Sequence, residues 1–426
     1  MQKFENTLAF AKELDEKDPL REYKDRFYIQ ENMIYMDGNS CGLCSKDAEK
    51  YVLKALEDWK KYGIDLWTAK DTNYFLYQDK LGAMLAPLIN ADPKEVTVCT
   101  NTTINIHKAV STFYHPNDTR NKIIMDDLNF PTDKYAVYSQ IKLHGYNPEE
   151  CLKVVESRDG QYIYEDDIID AMTDDVCMVI LPSVLYRSAQ LVDMEKIARA
   201  ARERDIIVGF DLCHSIGAVP HDFKAIDCDF AVWCNYKYIS GGPGAIAGLY
   251  INKKHFKMEP GMAGWHGNIK ETQFNLEHKF EHAEYAGGWQ TGTQPILSMA
   301  PIEGSLKMYA EAGIEKVREK SLKITAYMMY LIDTKLEKYG FSVGNPREDK
   351  IRGGHVALVH KDAIRITKAM KDNDIIPDFR FPNVIRLAPI ALYTSYEDVY
   401  EMVERIIKIM ENKEYEKYDD KRGIVA

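Results

Sequence analysis

Short apolar runs alternate with helix-like segments through the middle of the chain. The runs, each of strand length, lie at 96–100, 122–125, 152–155, 176–181, 206–210, 230–234 and 247–251. Helices are predicted between them, for example over 165–172 and 193–204, where apolar residues recur at helical spacing. Near-continuous apolar strands that alternate with helices are typical of a parallel sheet covered on both faces. The pattern therefore predicts an α/β fold with a mostly parallel central sheet flanked by helices.

Further helices are predicted nearer the two ends of the chain. Apolar residues recur at helical spacing over 46–62 and over about 76–90. A long helical stretch over about 295–340 precedes a smaller α/β unit. The predicted parts are an N-terminal segment that contributes to the small domain, a large ligand-binding domain, and a small C-terminal domain, over 1–60, 61–300 and 301–426.

Polar side chains follow several of the predicted strands. They are Thr102, Thr103, Asp133, Ser183, Asp211, His214 and Lys237. Sites in open α/β sheets lie beyond the carboxyl ends of the strands. These residues are therefore expected to meet at one shared site.

Asp211 ends one apolar run, and Lys237 follows the next and leads into the glycine-rich loop 241–244. Alone, an aspartate after a strand is usually a turn or cap residue, and a lysine before glycines is usually exposed. Together, with His214 and Tyr236 beside them, they favour a site for pyridoxal phosphate. The carboxylate would keep the ring nitrogen protonated, and the lysine would form a Schiff base with the aldehyde. Burial and the cationic ring are expected to lower the pKa of Lys237.

Thr102 and Thr103 open a predicted helix directly after a strand. Hydroxyls and backbone N–H groups at a helix N-terminus can bind an anion, so both residues are candidates for the cofactor phosphate. A plain helix cap is an equally good interpretation of the pair.

The composition narrows the class of partner. The 426 residues carry a formal net charge of −11, and no basic cluster or apolar run of membrane-spanning length stands out. We therefore expect neither nucleic acid nor a membrane as partner. The eight cysteines are scattered, which indicates a reducing, cytoplasmic location. Cys41 and Cys44 form a lone close pair without the second half of a zinc site, so no metal is expected.

Several motifs in order resemble those of the kynureninase family, within the pyridoxal-phosphate enzymes of the aspartate-aminotransferase-like fold (fold type I). The motifs span nearly the whole chain and lie at 37–42, 129–135, 211–220, 236–244, 264–265, 292–296 and 378–386. The resemblance implies hydrolysis of L-kynurenine, 3-hydroxykynurenine or both, giving anthranilate or 3-hydroxyanthranilate and L-alanine. It also implies a homodimer whose active sites take residues from both subunits.

The resemblance further implies roles at the cofactor. Lys237 would hold it, Asp211 would meet the pyridine nitrogen with His214 beside it, and Phe130 would stack on the ring. Tyr236 would move a proton, or serve the phosphate instead. The other residues implied around the phosphate are Thr102, Thr103, Ser183 and the nearby Asp133, with Trp265 and Thr293 reaching the neighbouring subunit's site.

Arg386 is implied as the clamp for the α-carboxylate of the amino-acid substrate, a task that suits a guanidinium group. Its ordinary interpretation is an ion pair between strands at the surface. Asn39 and Ser40 are candidates for the substrate side of the same site.

One loop departs from the family pattern. Gly-Trp-Phe-Gly-His is expected, whereas this chain has His266 and Asn268 at the third and fifth positions of the loop. Both are therefore candidate substrate-binding residues. The hypothesis is that they alter the aryl pocket and shift the preference toward a 3-hydroxy or otherwise altered ketone amino acid, so a related fold-type I enzyme that acts on a different amino acid stays an alternative.

Three other functions remain open at this point. A desulfurase-like lyase would need a cysteine on a mobile loop, whereas the cysteines here lie in strands or near glycine turns. An aminotransferase would share the fold and the lysine. A non-catalytic cofactor-binding protein would not need Lys237, Asp211 and Arg386 together.

Overall fold

The computed structural model describes residues 4–421 and residue 423. The strands are β1 (Ile34–Tyr35), β2 (Val96–Val98), β3 (Lys122–Asp126), β4 (Leu152–Val155), β5 (Val176–Pro182), β6 (Ile207–Asp211), β7 (Phe230–Trp233), β8 (Gly248–Ile251), β9 (Ser342–Val343), β10 (Val356–Val359), β11 (Ile375–Ile376), β12 (Asp378–Arg380) and β13 (Val384–Leu387). The α-helices are α1 (Leu8–Glu16), α2 (Lys46–Tyr62), α3 (Tyr77–Leu85), α4 (Thr102–Phe113), α5 (Pro131–Leu143), α6 (Pro148–Cys151), α7 (Glu165–Asp170), α8 (Met194–Arg202), α9 (Phe223–Ile226), α10 (Ile296–Ala312), α11 (Ile314–Leu331), α12 (Ala363–Asp372) and α13 (Tyr396–Glu411).

Seven strands form the central sheet in the order β2-β8-β7-β6-β5-β3-β4. The neighbours from β7 to β4 pair in parallel, whereas β8 is antiparallel to both β2 and β7. The predicted α/β fold with a mostly parallel sheet is confirmed. Because β8 alone is reversed, the carboxyl ends of the other strands lie at the same edge.

Both faces of the sheet are buried, which explains the continuous apolar runs. Ile123 and Met125 of β3 join the apolar cluster on one face, and Ile124 between them joins the cluster on the other. Successive strand residues point to opposite faces, so a strand covered by helices on both sides needs apolar residues throughout.

A second apolar core lies around the antiparallel sheet β12-β13-β10-β9. Ala11 and Leu14 of α1 belong to this core, and Asp15 accepts hydrogen bonds from the first backbone N–H groups of α13, at 2.8 and 2.9 Å. The N-terminal helix therefore packs with the C-terminal unit. α10 instead packs with the core of the large sheet, and the bounds at 60 and 300 stay a prediction.

Among the residues that the structure describes, no helix combines the length and the apolar character needed to cross a lipid bilayer.

Candidate active site

One cavity of about 350 Å³ opens at the carboxyl edge of the central sheet. This volume lies within the range usual for small-molecule sites. Ten of the residues predicted from the sequence line it: Asn39, Ser40, Thr102, Thr103, Phe130, Asp211, His214, Tyr236, Lys237 and Arg386. The structure therefore brings most of the predicted site together.

Lys237 lies at the centre of the cavity, after β7. Its Nζ is 3.2 Å from Nε2 of His214 and 5.9 Å from the ring centroid of Phe130. Asp211 ends the adjacent strand β6, and its Oδ1 accepts a 2.7 Å hydrogen bond from the backbone N–H of Cys213. The parallel pairing of β6 with β7 thus places the carboxylate and the amine at one end of the sheet.

The electrostatics of Lys237 differ from the expectation. Burial lowers its pKa, but the negative charges available at Cys213, Cys234 and Asp211 outweigh burial, so the pKa of Lys237 lies above its ordinary value. The protein alone therefore holds the amine charged. A lowered pKa requires a further positive group beside it, such as a protonated pyridine ring.

The N-terminus of α4 forms one wall of the cavity. Asn101 caps the helix, since its side chain accepts a hydrogen bond from Ile104 N–H at 3.0 Å. This leaves the hydroxyls of Thr102 and Thr103 uninvolved in the cap, and that of Thr103 lies 2.7 Å from the Thr132 hydroxyl. Because these hydroxyls do not cap the helix, they and the backbone N–H groups at its N-terminus can bind a phosphate group.

Arg386 closes the opposite side and is 1% exposed. Its guanidinium pairs with Asp378, donates to Ser40 Oγ at 2.9 Å, and donates to the Tyr186 carbonyl at 3.0 Å. The ion pair between strands is therefore present, since Asp378 lies on β12 and Arg386 on β13, but it is buried and does not lie at the surface. Burial and the nearby Asp378 raise the pKa of Asp37 to about 6.

Several buried polar atoms at the site lack partners among the described residues. They are both amide atoms of Asn39, both carboxylate oxygens of Asp133, and Nδ1 of His214. Buried polar groups are normally hydrogen-bonded, so each unpaired group calls for an explanation. A polar ligand such as pyridoxal phosphate, with a phosphate, a phenolic oxygen and a ring nitrogen, would supply partners. The residues present therefore fit this cofactor.

The remaining predicted residues do not line the cavity. Asp133 lies behind it, fully buried, where burial and the charge of Asp211 raise its pKa well above the ordinary value. Ser183 is fully buried and donates to the Asp211 carbonyl at 2.9 Å, which makes it a support for β6. Trp265 is 42% exposed. Thr293 is also exposed and lines a separate surface groove.

His266 and Asn268 also lie outside the cavity. The ring of His266 is 2% exposed and packs 5.8 Å from that of Phe75, and its Nδ1 is 3.4 Å from Nε2 of Gln78. Asn268 accepts a 2.8 Å hydrogen bond from the backbone of Glu281. In their own subunit, both residues shape a loop.

Sequence reasoning missed several residues that line the cavity: Asn101, Thr132, Cys213, Cys234, Gly244, Ala245, Ala247 and Arg380. Arg380 shares Asp378 with Arg386, at 3.0 Å from Nε. The sequence contained a signal for two of these residues, because Arg380 lies in the motif 378–386 and Cys213 lies in the motif that begins at Asp211.

A sequence model of the kynureninase C-terminal domain matches residues 317–406. The chain is 53% identical over 422 residues to a kynureninase of Geobacillus thermodenitrificans, with 99% of each chain covered. A kynureninase of Shouchella clausii is 48% identical, with 99% of this chain and 98% of the relative covered.

The chain belongs to the kynureninase family.

Solved structures at low identity share the fold of this kynureninase-family chain. A C-DES mutant with glycine covalently linked to the PLP cofactor has a TM-score of 0.78 at 16% identity, and the match covers 90% of this chain and 98% of that one. A cysteine desulfurase from Thermococcus onnurineus has a TM-score of 0.75, also at 16% identity, over 92% and 98%. At this identity the similarity shows a shared fold and does not indicate the reaction.

Proposed function

We propose that the protein is a pyridoxal 5′-phosphate-dependent hydrolase that cleaves the Cβ–Cγ bond of L-kynurenine, 3-hydroxykynurenine or both. The products are anthranilate or 3-hydroxyanthranilate and L-alanine. The observation that carries this proposal is one cavity that holds Lys237, Asp211 and Arg386, in a chain 53% identical to a kynureninase over 99% of both.

The proposed cofactor is held at its two ends. Asp211 would hold the ring nitrogen, and Thr102 and Thr103, which line the cavity at the N-terminus of α4, would hold the phosphate. When bound, pyridoxal phosphate supplies an aldehyde for Lys237 and the substrate amine, and a cationic ring that accepts electrons from a breaking bond. Burial raises the pKa of Asp211, and the charge of Lys237 opposes that rise.

Lys237 is the proposed base that moves the α-proton of the substrate. His214 lies 3.2 Å from its Nζ, and burial together with Lys237 lowers the pKa of His214 well below its ordinary value. A neutral imidazole at this distance can share a proton with the amine without adding a second positive charge. His214 therefore holds the amine in place while the proton moves.

The substrate carboxylate is proposed to meet Arg386 and Arg380. Within residues 4–421, the acidic groups beside these two guanidinium groups are Asp378 and the weakly acidic Asp37. The site thus keeps positive charge for an incoming carboxylate, and Ser40, already bonded to Arg386, fixes its orientation.

Tyr236 is proposed as the proton donor at the side-chain ketone. Burial and the neighbouring Cys234 raise the pKa of its phenol. The hydroxyl therefore stays protonated at neutral pH and can donate to a developing oxyanion or carbanion.

A homodimer with shared active sites is the second part of the proposal. Trp265 and Thr293 lie outside the cavity of their own subunit and are exposed, as residues that serve a partner's site must be. A cytoplasmic location is also proposed, because eight free cysteines suit a reducing compartment.

The direct test mixes the purified, cofactor-loaded protein with L-kynurenine or 3-hydroxykynurenine and follows the fluorescence of the aminobenzoate product. We expect product release that is lost in Lys237→Ala, together with equimolar L-alanine. The control variant isolates the chemistry, because Arg386 and the phosphate site remain intact.

Two outcomes would overturn the proposal. One is a Lys237-dependent yellow cofactor with no aminobenzoate from either ketone. The other is release of sulfide from cysteine, which would place the protein with its desulfurase-like structural neighbours.

A further inference from the structure

Two thiols meet at the floor of the cavity, although they are far apart in the sequence. Cys213 follows β6 and Cys234 follows β7, and both line the same cavity as Lys237 and Asp211. Their Sγ atoms are 3.2 Å apart, and Sγ of Cys213 also accepts a 3.2 Å hydrogen bond from the backbone N–H of Cys234. The proposed reaction uses neither thiol.

The sheet register brings the two backbones to a spacing that a disulfide can bridge. Asp211 pairs with Val232 in the parallel ladder, and the Leu212 N–H donates to the Val232 carbonyl at 2.8 Å. Extending this pairing by two residues places Cys213 beside Cys234. Neighbouring strands lie about 4.8 Å apart, within the Cα separation of about 4.4–6.8 Å found for disulfides.

The surroundings favour one thiolate and one thiol. The pKa of Cys234 is lowered to about 6, because a hydrogen bond from Cys213 and the charge of Lys237 together outweigh the effect of burial, which raises it. Burial and the neighbouring Cys234 raise the pKa of Cys213 well above its ordinary value. The Thr102 hydroxyl lies 3.2 Å from Sγ of Cys234 and can also donate to it. A thiolate beside a thiol is the arrangement found at redox-active cysteine pairs.

The other cysteines lack this arrangement. Cys41 and Cys44, the only close pair in the sequence, each contact a neighbouring backbone carbonyl, at 3.7 and 3.6 Å, instead of each other. Cys228 is fully buried at the opposite end of β7 and lies outside the cavity lining. Among the described residues, only Cys213 and Cys234 combine a thiol partner with a place on the cavity wall.

We propose that Cys213 and Cys234 form an oxidation site, at which a hydroperoxide joins the two thiols as a disulfide in the cofactor-free enzyme and bound cofactor prevents the reaction. A molecule held by Lys237 and Asp211 fills the cavity from which a small oxidant reaches the thiols. The oxidation state of the two thiols therefore depends on whether the cofactor is bound.

The chemistry balances with one hydroperoxide for each disulfide. The Cys234 thiolate attacks the terminal peroxide oxygen and the O–O bond breaks. The other oxygen leaves after protonation, as water from hydrogen peroxide or as an alcohol from an organic hydroperoxide, which gives a sulfenic acid. The Cys213 sulfur then attacks the Cys234 sulfur, the S–O bond breaks, and water leaves. Two thiols are oxidised by two electrons, and the hydroperoxide is reduced by the same number.

The test treats cofactor-free and cofactor-loaded protein with the same concentration of hydrogen peroxide. Free thiols are counted with a maleimide, and linked peptides are identified by mass spectrometry before and after dithiothreitol. We expect a Cys213–Cys234 linked peptide, reversed by dithiothreitol, that forms at least about tenfold faster without cofactor. Cys213→Ser and Cys234→Ser should each abolish it, whereas Cys228→Ser, a buried thiol outside the cavity, should leave it unchanged.

Equal rates with and without cofactor would overturn the proposal, as would a sulfinic acid on Cys234 without a linked peptide. Circular dichroism of each variant shows whether a lost link reflects lost chemistry or lost fold. For a serine variant that does not fold, the wild-type rates with and without cofactor decide the proposal alone. None of these readouts depends on kynurenine turnover, so this inference and the proposed function can fail separately.

Discussion

At the scale of single residues, Arg386 and Arg380 are the two side chains proposed to bind the substrate carboxylate. Both guanidinium groups contact Asp378, but Arg386 is buried with three kinds of partner. The Arg380 side chain is 24% exposed, and its polar contact among the described residues is the one with Asp378, at 3.0 Å. A buried, fixed guanidinium can bind a carboxylate through two hydrogen bonds, which an ammonium group cannot reproduce.

Arg386→Lys should raise KM for L-kynurenine about 10- to 100-fold, because it removes charge-assisted hydrogen bonds to the carboxylate. Arg380→Lys should raise KM less, because Arg380 makes fewer contacts. Steady-state kinetics measure both effects, with cofactor absorbance as the check on folding. Decarboxylated kynurenine is the matched control ligand, and equal weakening of its binding by Arg386→Lys would contradict the assignment.

Residues at strand ends were predictable because a parallel sheet gathers them. Asp211 and Lys237 follow neighbouring parallel strands, so sequence order alone placed them together. The role of Ser183 could not be predicted in this way, since its side chain turns back to the Asp211 carbonyl and away from the cavity. The direction in which a side chain points after a strand depends on the conformation of the turn that follows. A short polar motif does not determine that conformation.

At the scale of elements, the loop that holds Trp265 is fixed to the large domain. The His266 N–H donates to the Thr291 carbonyl at 2.9 Å, and the Lys270 ammonium donates to the His266 carbonyl. A side chain at Gly264 would approach the Thr291 carbonyl oxygen to 2.4 Å, so the glycine permits close packing. The buried ring of His266 thus positions the loop instead of reaching the cavity of its own chain.

His266→Phe should make the protein less sensitive to acid. Burial, together with the charge of Lys270, lowers the pKa of His266 to about 4 from 6.5. Between these values the unfolded chain binds a proton that the folded chain does not, so the stability present above pH 6.5 is lost as the pH falls toward 4. The His266→Phe substitution removes this loss of unfolding free energy at low pH, which amounts to roughly 1–3 kcal/mol.

Urea unfolding at about pH 5 and about pH 7.5 measures the difference. The exposed His278 gives the control, since His278→Phe removes a histidine without removing a packed ring. The ratio of kcat/KM for kynurenine and 3-hydroxykynurenine should stay within about twofold of wild type in His266→Phe. A large change in that ratio would instead support the hypothesis that His266 shifts the substrate preference.

Element bounds followed the sequence pattern except where backbone chemistry intervened. The helix predicted over about 76–90 ends as α3 at Leu85 and continues as a 3₁₀ turn, because Pro87 lacks the N–H that an α-helix needs. The reversed direction of β8 was not predictable, because a strand buried on both faces reads the same in either direction.

At the scale of the whole molecule, exposed apolar residues form the face that the proposed homodimer would bury. Leu53, Trp59 and Leu297 are each about half exposed, and they line two adjoining grooves, one of which includes Thr293. An isologous interface repeats the same patch on both subunits, so a residue outside its own cavity can lie at the partner's. This arrangement would explain why Trp265 and Thr293 are separated from the site.

Two inactive variants should therefore restore each other. In a heterodimer of Lys237→Ala with Trp265→Ala, one site has its own lysine and receives Trp265 from the other subunit, whereas the second site has neither. Random mixing should yield roughly a quarter of wild-type activity, because half of the dimers carry one complete site. Mixing Lys237→Ala with Arg386→Lys is the control. Both lesions belong to the same subunit's set, so no wild-type site can form and the activity at low substrate should not exceed the mean of the two parent homodimers. Absence of recovery in the first mixture, with dimers verified by light scattering, would show that each subunit builds its site alone.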